Sequence, residues 1–290
     1  MLSERDSVIT EAQLDTVDLS GKTLEDDDIS VILNTLPNDQ YKALRLSNNN
    51  MTNNMITEVL QWVSAHKKLQ ELNLAFNSLD NKIVLGFGAA ITQNTHLINI
   101  NIGGNKFNQA GMHTMLTSFK LRTNLVELHL SHSAINTIDH IKLIVEILKN
   151  NPDLTTLNLA MCKLNGHFIN DVLRAATIHP SLQVLDLSSN RFNTLDSALL
   201  LNLFQHNTTL TSINLTGNSL TKECTLNLVQ AYNQRNPDSK VKLIFSDEVD
   251  AAFKKVLTMV QNASRNMETT NNNNQENKDG ASNTFKRKKI

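Results

Sequence analysis

The sequence contains few of the residues that mark several common protein classes. It has two cysteines, four prolines, nine glycines and one tryptophan in 290 residues. Two cysteines cannot form a disulfide framework, and they fit a reducing compartment. No apolar run approaches the roughly 18 residues that a spanning helix requires, so no membrane span is expected. The first six residues carry three charges and no apolar run follows, which argues against a signal peptide and for a cytosolic protein.

Charge and polarity exclude two further classes. The net charge is −1, so the basic footprint of a general nucleic-acid binder is absent and no nucleic-acid partner is expected. A hydrophobic content of 40% is too high for a wholly disordered chain. The conspicuous excess is asparagine, which makes up roughly one residue in seven. Composition alone therefore suggests no chemistry.

One phrase recurs along most of the chain. Counting Leu69 as position one, apolar residues stand at positions one, four, six and eleven, and asparagine stands at position nine. The phrase occurs eight times, with starts 27 to 29 residues apart. The starts are Leu14, Tyr41, Leu69, Leu97, Leu125, Leu154, Leu182 and Leu210. A weaker ninth strand is expected at Val241 and Leu243, because they lie 28 residues after Ile213 and Leu215. Such regular spacing is typical of a repeat protein.

The repeat predicts a strand followed by a helix. Positions four and six alternate with polar residues, so they point to one face of a short strand. Between phrases, apolar residues recur at helical spacing, for example Met55, Ile56, Val59 and Val63. A strand and a helix every 28 residues give right-handed crossovers and a parallel sheet. Each unit can bury its apolar face only by stacking on its neighbours.

This pattern resembles the leucine-rich repeat of the ribonuclease-inhibitor-like class. The resemblance implies a right-handed α/β solenoid, a horseshoe with the parallel sheet on its concave face and helices on its convex face. It covers residues 14–246, as eight repeats and a terminal strand. Outside it we expect an N-terminal cap over 1–13, a C-terminal capping helix over 247–266 and a disordered tail over 267–290.

The position-nine residues are expected to be structural. An asparagine amide there can bond backbone groups of adjacent turns that would otherwise be buried without partners. Lys22, Ser133 and Cys162 stand in place of asparagine in three of the eight repeats. Lys22 lies in the first repeat, which is expected to be an exposed capping unit. Cysteine is a known substitute in the repeat class that the chain resembles, so Cys162 is interpreted as part of this ladder rather than as a nucleophile. Cys224 falls in a predicted helix and is interpreted as a core residue.

No pattern of catalytic residues is evident in the sequence. Zinc-protease, Cys/His metal, nucleophile-elbow and phosphate-loop motifs are all missing. His129 and His132 could share a metal only with a third ligand, and none is evident at matching positions of the neighbouring repeats. We therefore expect no enzyme activity, no cofactor and no metal.

The concave face is the main candidate for function. Positions three, five and eight of the phrase face away from the core or lie along the rim, and a few large side chains stand out there. Exposed Phe and Met surrounded by charges are typical of protein-binding hot spots. The predicted protein-binding residues are Arg45, Glu71, Asn73, Phe76, Asn101, Glu127, His129, His132, Asn158, Met161, Asp186 and Arg191.

Two features outside the concave face each have two possible interpretations from the sequence. Trp62 is not demanded by the helix pattern, so it either marks a second contact on the convex face or fills space between helices. The last residues, 285–290, include four adjacent basic residues. They are either a solvated chain end or an address for the nucleus, a membrane surface or secretion.

The sequence predicts a non-catalytic protein-interaction module that is monomeric on its own. The Asn-rich, Gly-poor repeats resemble leucine-rich repeat effectors of intracellular bacterial pathogens, such as the Legionella group. That resemblance implies secretion into a host cell and a host protein or a second effector as partner. The resemblance to ribonuclease inhibitor implies inhibition of an enzyme by covering its active site. Two alternatives are a regulator of a small GTPase, through Arg45 and Asn73, and a scaffold such as the actin-filament cap of tropomodulin.

Overall fold

The computed structural model describes residues 15–36, 40–193, 196–235 and 242–244. The chain divides into two compact units, residues 1–245 and 246–290, and every described residue lies in the first. Within it, nine strands form one parallel sheet in the order of the sequence. The strands are β1 (Thr16–Asp18), β2 (Ala43–Arg45), β3 (Glu71–Asn73), β4 (Asn99–Asn101), β5 (Glu127–His129), β6 (Thr156–Asn158), β7 (Val184–Asp186), β8 (Ser212–Asn214) and β9 (Lys242–Ile244).

A helix follows each of the first eight strands. The helices are α1 (Asp26–Thr35), α2 (Asn53–Ala65), α3 (Val84–Gln93), α4 (Gln109–Lys120), α5 (Ile138–Asn150), α6 (Gly166–Thr177), α7 (Ser197–His206) and α8 (Lys222–Arg235). A short 3₁₀ turn, Asn81–Ile83, precedes α3. Packed helices lie about 8–10 Å apart and paired strands about 4.8 Å apart, so stacking bends the array toward the sheet. The predicted α/β leucine-rich repeat solenoid is confirmed. A ninth strand forms, but its predicted register is wrong: Leu243, not Val241, pairs with Ile213, so the last repeat is 30 rather than 28 residues long.

Each strand presents one residue to the core and two to the opposite face. Equivalent residues pair in register, for example Leu44 with Leu72 and Leu72 with Ile100. These central residues are almost completely buried, whereas most of the flanking residues are partly exposed. We call the face that carries the flanking residues the open face of the sheet. Its rows are the position-three and position-five residues of the repeat.

The helices bury the apolar residues that the periodicity predicts. Met55, Ile56, Val59 and Val63 of α2 are buried, as are Ile83, Val84, Phe87 and Ile91 in and before α3. Polar side chains begin several helices by accepting hydrogen bonds from the first turn. Asn108 accepts from the Gly111 amide at 3.1 Å, and Thr137 accepts from the His140 amide at 3.2 Å.

The position-nine side chains form a buried ladder between turns. The amide nitrogen of Asn77 donates to the carbonyls of Leu46 and Leu74, both at 3.0 Å. Its oxygen accepts from the amides of Asn49 and Met51 at 3.0 and 3.1 Å. The Asn77 rung therefore joins two successive repeats through backbone groups of their turns.

Cys162 occupies this ladder as the sequence predicts. It is fully buried, and its thiol donates to the Leu130 carbonyl at 3.2 Å. Burial raises the pKa of Cys162 to about 12, so the thiol stays protonated near neutral pH. Cys224 is also buried, and burial raises its pKa as well.

A second buried ladder stands at the ends of the helices, and the sequence analysis did not identify it. Its rungs lie 28 or 29 residues apart: His66, Asn94, Arg122, Asn151, His179 and Asn207. Asn94 donates to the carbonyls of Val63 and His66 of the preceding repeat, at 3.1 and 2.7 Å. His179 Nε2 contacts the carbonyls of Leu148 and Asn151 at 3.2 and 3.1 Å. These rungs satisfy carbonyls at the helix C-termini, which have no partner within the helix.

Trp62 fills space between helices rather than forming an exposed convex contact. Its side chain is 8% exposed. Its ring stacks on the His66 ring, with centroids 3.6 Å apart. Of the two interpretations of Trp62, the structure therefore supports packing.

The predicted terminal elements lie outside the described residues. These are the cap over 1–13, the helix over 247–266 and the tail over 267–290, and they stay predictions. The described helices include none long and apolar enough to cross a membrane.

Replacing the Asn77 rung by alanine should destabilise the solenoid. Asn77→Ala removes three donated and two accepted hydrogen bonds with backbone groups, and we expect the free energy of unfolding to fall by about 3 kcal/mol. Urea unfolding followed by circular dichroism measures this. Asn54→Ala is the matched control, because Asn54 is an exposed residue of α2. Equal losses in both variants would contradict a stabilising role for the ladder.

The histidine rung should make stability depend on pH. Burial lowers the pKa of His179, and its Nδ1 accepts hydrogen bonds from the amides of Ser181 and Leu182. The folded state therefore binds fewer protons than the unfolded state below about pH 6.5, and stability falls as the pH falls.

His179→Asn, which installs the residue found at three other rungs, should weaken this dependence. The measurement is the urea midpoint at about pH 7.5 and about pH 5. His206→Asn, at an exposed histidine, is the control. An unchanged pH dependence in His179→Asn would show that other groups cause the acid sensitivity.

Candidate protein-binding surface

The position-five row contains mostly residues with a structural task. In six of the eight phrase strands, a side-chain oxygen at this position accepts a hydrogen bond from the backbone amide two residues further on. The six residues are Asp18, Asn73, Asn101, Asn158, Asp186 and Asn214. Such turns end a strand with the backbone satisfied. Four predicted binding residues, Asn73, Asn101, Asn158 and Asp186, thus also shape the strand ends.

Arg45 and His129 are the exceptions in this row. The Arg45 guanidinium donates to both carboxylate oxygens of Glu71, at 2.6 and 2.9 Å. The carboxylate of Asp18 lies 3.7 Å from the same guanidinium. The hydrogen bonds that Arg45 donates to Glu71 raise the pKa of Arg45 above its ordinary value. His129 Nε2 lies 3.5 Å from the carboxylate of Glu127, too far for a strong hydrogen bond.

These residues line a polar depression over β2 to β5. Its wall consists of Arg45, Glu71, Asn73, Asn99, Asn101, Glu127 and His129, and its floor includes Leu72 and Ile100. The Asn99 side-chain oxygen is enclosed and has no hydrogen-bond partner among the described residues. Asn99 was not predicted as a site residue. The signal that could have found it is its register, since it pairs with Glu71 on one side and Glu127 on the other.

The position-eight row has left-handed backbone in all eight phrase repeats. Three repeats place glycine there, with φ between 66° and 69°: Gly21, Gly104 and Gly217. The other five place Asn48, Phe76, His132, Met161 and Ser189, with φ between 51° and 57°. This conformation costs a residue with a side chain about 1–2 kcal/mol relative to glycine. Bulky residues at these positions are therefore not explained by the backbone.

Phe76, His132 and Met161 form an exposed ridge beside the polar depression. Phe76 is 47% exposed and Met161 is 44% exposed. The Phe76 ring lies directly over Gly104, where a Cβ atom would come within 2.4 Å of it. It also meets the His132 ring edge to face, with centroids 5.4 Å apart. Glycine at 104 is thus what allows the Phe76 ring to cover the exit of β4.

The structure brings most of the predicted site residues together. Those from Arg45 to Met161 lie on β2 to β6 and their exits, as the repeat spacing predicts. Asp186 and Arg191 lie on β7 and after it, at one side of this group. Asp186 accepts hydrogen bonds from the Ser188 amide and from Asn214, and the Arg191 amide donates to the Leu164 carbonyl.

No metal-binding group is found in the described part of the chain. Among the described residues, no three His, Cys, Asp or Glu side chains lie close enough together to hold one ion. His129 and His132 do not gain the third ligand that a shared metal would require.

Comparison with known proteins agrees with this architecture. Two family models for the leucine-rich repeat match the chain, one over residues 181–203 and one over residues 206–223. The chain carries leucine-rich repeats. No curated protein matches its sequence.

Several solved structures resemble the leucine-rich repeat chain at low identity. Actin-binding site 2 of leiomodin-1 is 17% identical, over 57% of this chain and 95% of that one, with a TM-score of 0.41. The tropomodulin C-terminal domain of Caenorhabditis elegans is 16% identical, over 55% and 98%, with a TM-score of 0.39. A Bacteroides fragilis protein is 14% identical, over 82% and 76%, with a TM-score of 0.45.

Removing a ridge side chain should cost little stability. Met161→Gly relieves the left-handed strain, worth about 1 kcal/mol, and loses a similar amount to the greater freedom of the unfolded chain. We expect the free energy of unfolding to change by less than about 1 kcal/mol in urea. Leu159→Ala, at a buried neighbour, should lose about 2–5 kcal/mol. A comparable loss in Met161→Gly would assign Met161 to the core instead.

Proposed function

We propose that this chain is a non-catalytic protein-interaction module whose partner binds the open face of the sheet between β2 and β6. The binding patch comprises the charged residues Arg45, Glu71, Glu127 and His129 and the ridge of Phe76, His132 and Met161. Repeat solenoids of this kind use their extended inner surfaces for binding. The observation that carries the proposal is the ridge. Its three bulky, exposed side chains stand at position eight, where the backbone is left-handed and three other repeats have glycine, which adopts that conformation without strain.

The distribution of these residues supports the proposal. The position-five row serves the turns wherever it contains Asn or Asp, and the residues without that task are Arg45 and His129. They lie on β2 and β5, next to the ridge. Aromatic and Met side chains ringed by polar groups are where a few contacts give most of the binding energy.

The finer proposal is that binding inhibits an enzyme. A partner seated on this patch would have the covered part of its surface closed to substrate, as the resemblance to ribonuclease inhibitor implies. Delivery into a host cell as a bacterial effector stays a prediction from the Asn-rich sequence, as does a location in the cytosol. The basic residues 285–290 lie outside the described residues, and their role stays open.

The alternative role as a GTPase regulator has less support. It relied on Arg45 and Asn73 as contacts to the GTPase. Both oxygens of Glu71 hold the Arg45 guanidinium, and Asn73 accepts the Ala75 amide at 3.1 Å. An arginine paired in this way would have to leave Glu71 before it could stabilise charge on a nucleotide. Measuring GTP hydrolysis by a panel of small GTPases separates this alternative from inhibition.

The test is affinity purification with matched variants. Phe76→Ala is expected to weaken binding of a captured partner by about 1–3 kcal/mol without unfolding the chain, because it removes the largest exposed ridge side chain. His129→Ala should act in the same direction, and the triple change of Arg45, Phe76 and His129 to alanine should abolish capture. The measurement is calorimetry with the captured partner.

Leu85→Ala is the control for this test. Leu85 is a large apolar residue of α3 that is 77% exposed on the helical side. If Leu85→Ala weakens binding and Phe76→Ala does not, the partner binds the helices and the proposed patch is wrong.

A further inference from the structure

The open face already holds one arginine of the chain itself, Arg45, on a carboxylate of the next strand. Arg45 stands at position five of β2, and Glu71 stands at position three of the next strand, β3. Their two parallel hydrogen bonds, at 2.6 and 2.9 Å, are the fork arrangement that arginine makes with a carboxylate. The strands all pair in the same register. A position-five residue and the position-three residue of the next strand are therefore placed alike in every repeat.

Glu127 occurs in the same setting without the arginine. It stands at position three of β5, and the position-five residue of the preceding strand is Asn101. The Asn101 oxygen accepts the Gly103 amide at 3.1 Å, and no hydrogen bond joins Asn101 to Glu127 among the described residues. The contact of Glu127 with His129 is 3.5 Å long. The Glu127 carboxylate therefore keeps most of its capacity to accept hydrogen bonds.

Charge on the open face favours a cation at this place. At positions three and five of β1 to β8, four carboxylates stand against one guanidinium. Asp18 and Glu71 lie against Arg45, and Asp186 accepts from Ser188 and Asn214. Glu127 is the carboxylate of this group that has neither an arginine nor a turn amide as partner within the described residues.

The Glu127 carboxylate is suited to a flat, forked cation, and two side chains flank the approach to its strand. Asn99 pairs with Glu127 from the neighbouring strand, and its oxygen has no partner among the described residues. Because that oxygen is enclosed, the Asn99 side chain has to turn outward before it can accept from a bound cation. The Phe76 ring over Gly104 places an aromatic surface at the exit of the strand that carries Asn101. Arginine suits Glu127 better than lysine does, because its planar guanidinium bonds a carboxylate in pairs, whereas lysine is a compact point charge. The Phe76 ring, at the strand exit, is left to receive an apolar side chain beside that arginine.

We propose that the partner inserts an arginine side chain between Asn101 and Glu127, with its guanidinium on the Glu127 carboxylate. The inference rests on the proposed function, since it takes the partner to be a protein that binds the open face. It names the chemistry of that partner: an arginine presented beside an apolar residue, with Glu127 receiving the first and the ridge receiving the second.

The test uses a probe that does not depend on finding the partner. N-acetyl-arginine amide is titrated into the full chain and followed by ¹⁵N NMR, with the citrulline analogue as the neutral probe of the same shape. Saturable shifts are expected at the amides of Asn99, Asn101, Glu127 and His129 with arginine and not with citrulline. Glu127→Gln should weaken the arginine titration at least fivefold, because it removes the charge and keeps the shape.

Asn101→Arg tests the comparison with Arg45 directly. The introduced side chain should pair with Glu127 as Arg45 pairs with Glu71, and so should also weaken the titration at least fivefold. Asn214→Arg is the matched control. It likewise removes an oxygen that accepts a turn amide, but its position-three neighbour on β9 is Lys242 rather than a carboxylate. Asn214→Arg should leave the titration unchanged, and circular dichroism checks that all three variants fold.

The outcomes separate this inference from the proposed function. Equal shifts with citrulline, or an arginine titration that Glu127→Gln and Asn101→Arg leave unchanged, would overturn the arginine site. If a captured partner is lost on Phe76→Ala but binds Glu127→Gln and Asn101→Arg normally, the binding patch stands and the arginine site is wrong. If arginine binds as expected while Phe76→Ala leaves partner binding intact, the ridge assignment fails and the arginine site stands.

Discussion

The buried side-chain amide that bonds the backbone of successive turns is the interaction on which this solenoid depends. Each strand is only three residues long, so the chain turns twice in every repeat and buries the backbone groups of those turns. Asn77 bonds five of them and joins two repeats while doing so. Since an unsatisfied buried backbone group costs about 1–3 kcal/mol, the ladder constrains the repeat length to nearly 28 residues. Regular strands, and the rows on the open face, follow from that regularity.

The second ladder shows why the same requirement escaped the sequence analysis. Four of its six rungs meet one need, a hydrogen-bond donor that reaches carbonyls at the end of the preceding helix, and three residue types meet it: Asn94 and Asn207, Arg122, and His179. His66 and Asn151 instead bond the carbonyls of Trp62 and Ile147 in their own helices. Asn94 reaches two carbonyls with a short amide, and His179 does so with Nε2. Arg122 reaches the carbonyls of Ile91, Asn94 and Leu97, although burial lowers its pKa. A repeat is recognised in a sequence when the same residue type recurs at a fixed spacing. Here the residue type changes from rung to rung, and only the hydrogen bond to a helix-end carbonyl recurs.

Repeat counting predicted the fold and the membership of the open face, because both depend on the period alone. It placed Arg45, Glu71, Glu127 and His129 on neighbouring strands in the register that the structure has. It could not predict which polar side chains already accept hydrogen bonds from the chain's own backbone. Asn73 and Asn158 resemble surface amides in sequence, yet each accepts a turn amide. Nor could it predict that Phe76 lies over Gly104, since a side-chain conformation depends on what the neighbouring repeat lacks.

The same regularity separates functional candidates from structural ones without an alignment. Within one chain, each repeat serves as the reference for the others, so a departure that the backbone does not require needs another explanation. Position eight is the clearest case, because glycine, serine and asparagine tolerate left-handed backbone with less strain than Phe76 or Met161 does. Backbone strain of this kind persists only where the surrounding structure holds the residue in place, and it is commonly found at functional sites. The comparison between repeats also shows where a partner is missing. Glu71 is paired with Arg45 from the preceding strand, whereas Glu127, at the equivalent position, has Asn101 there and no arginine.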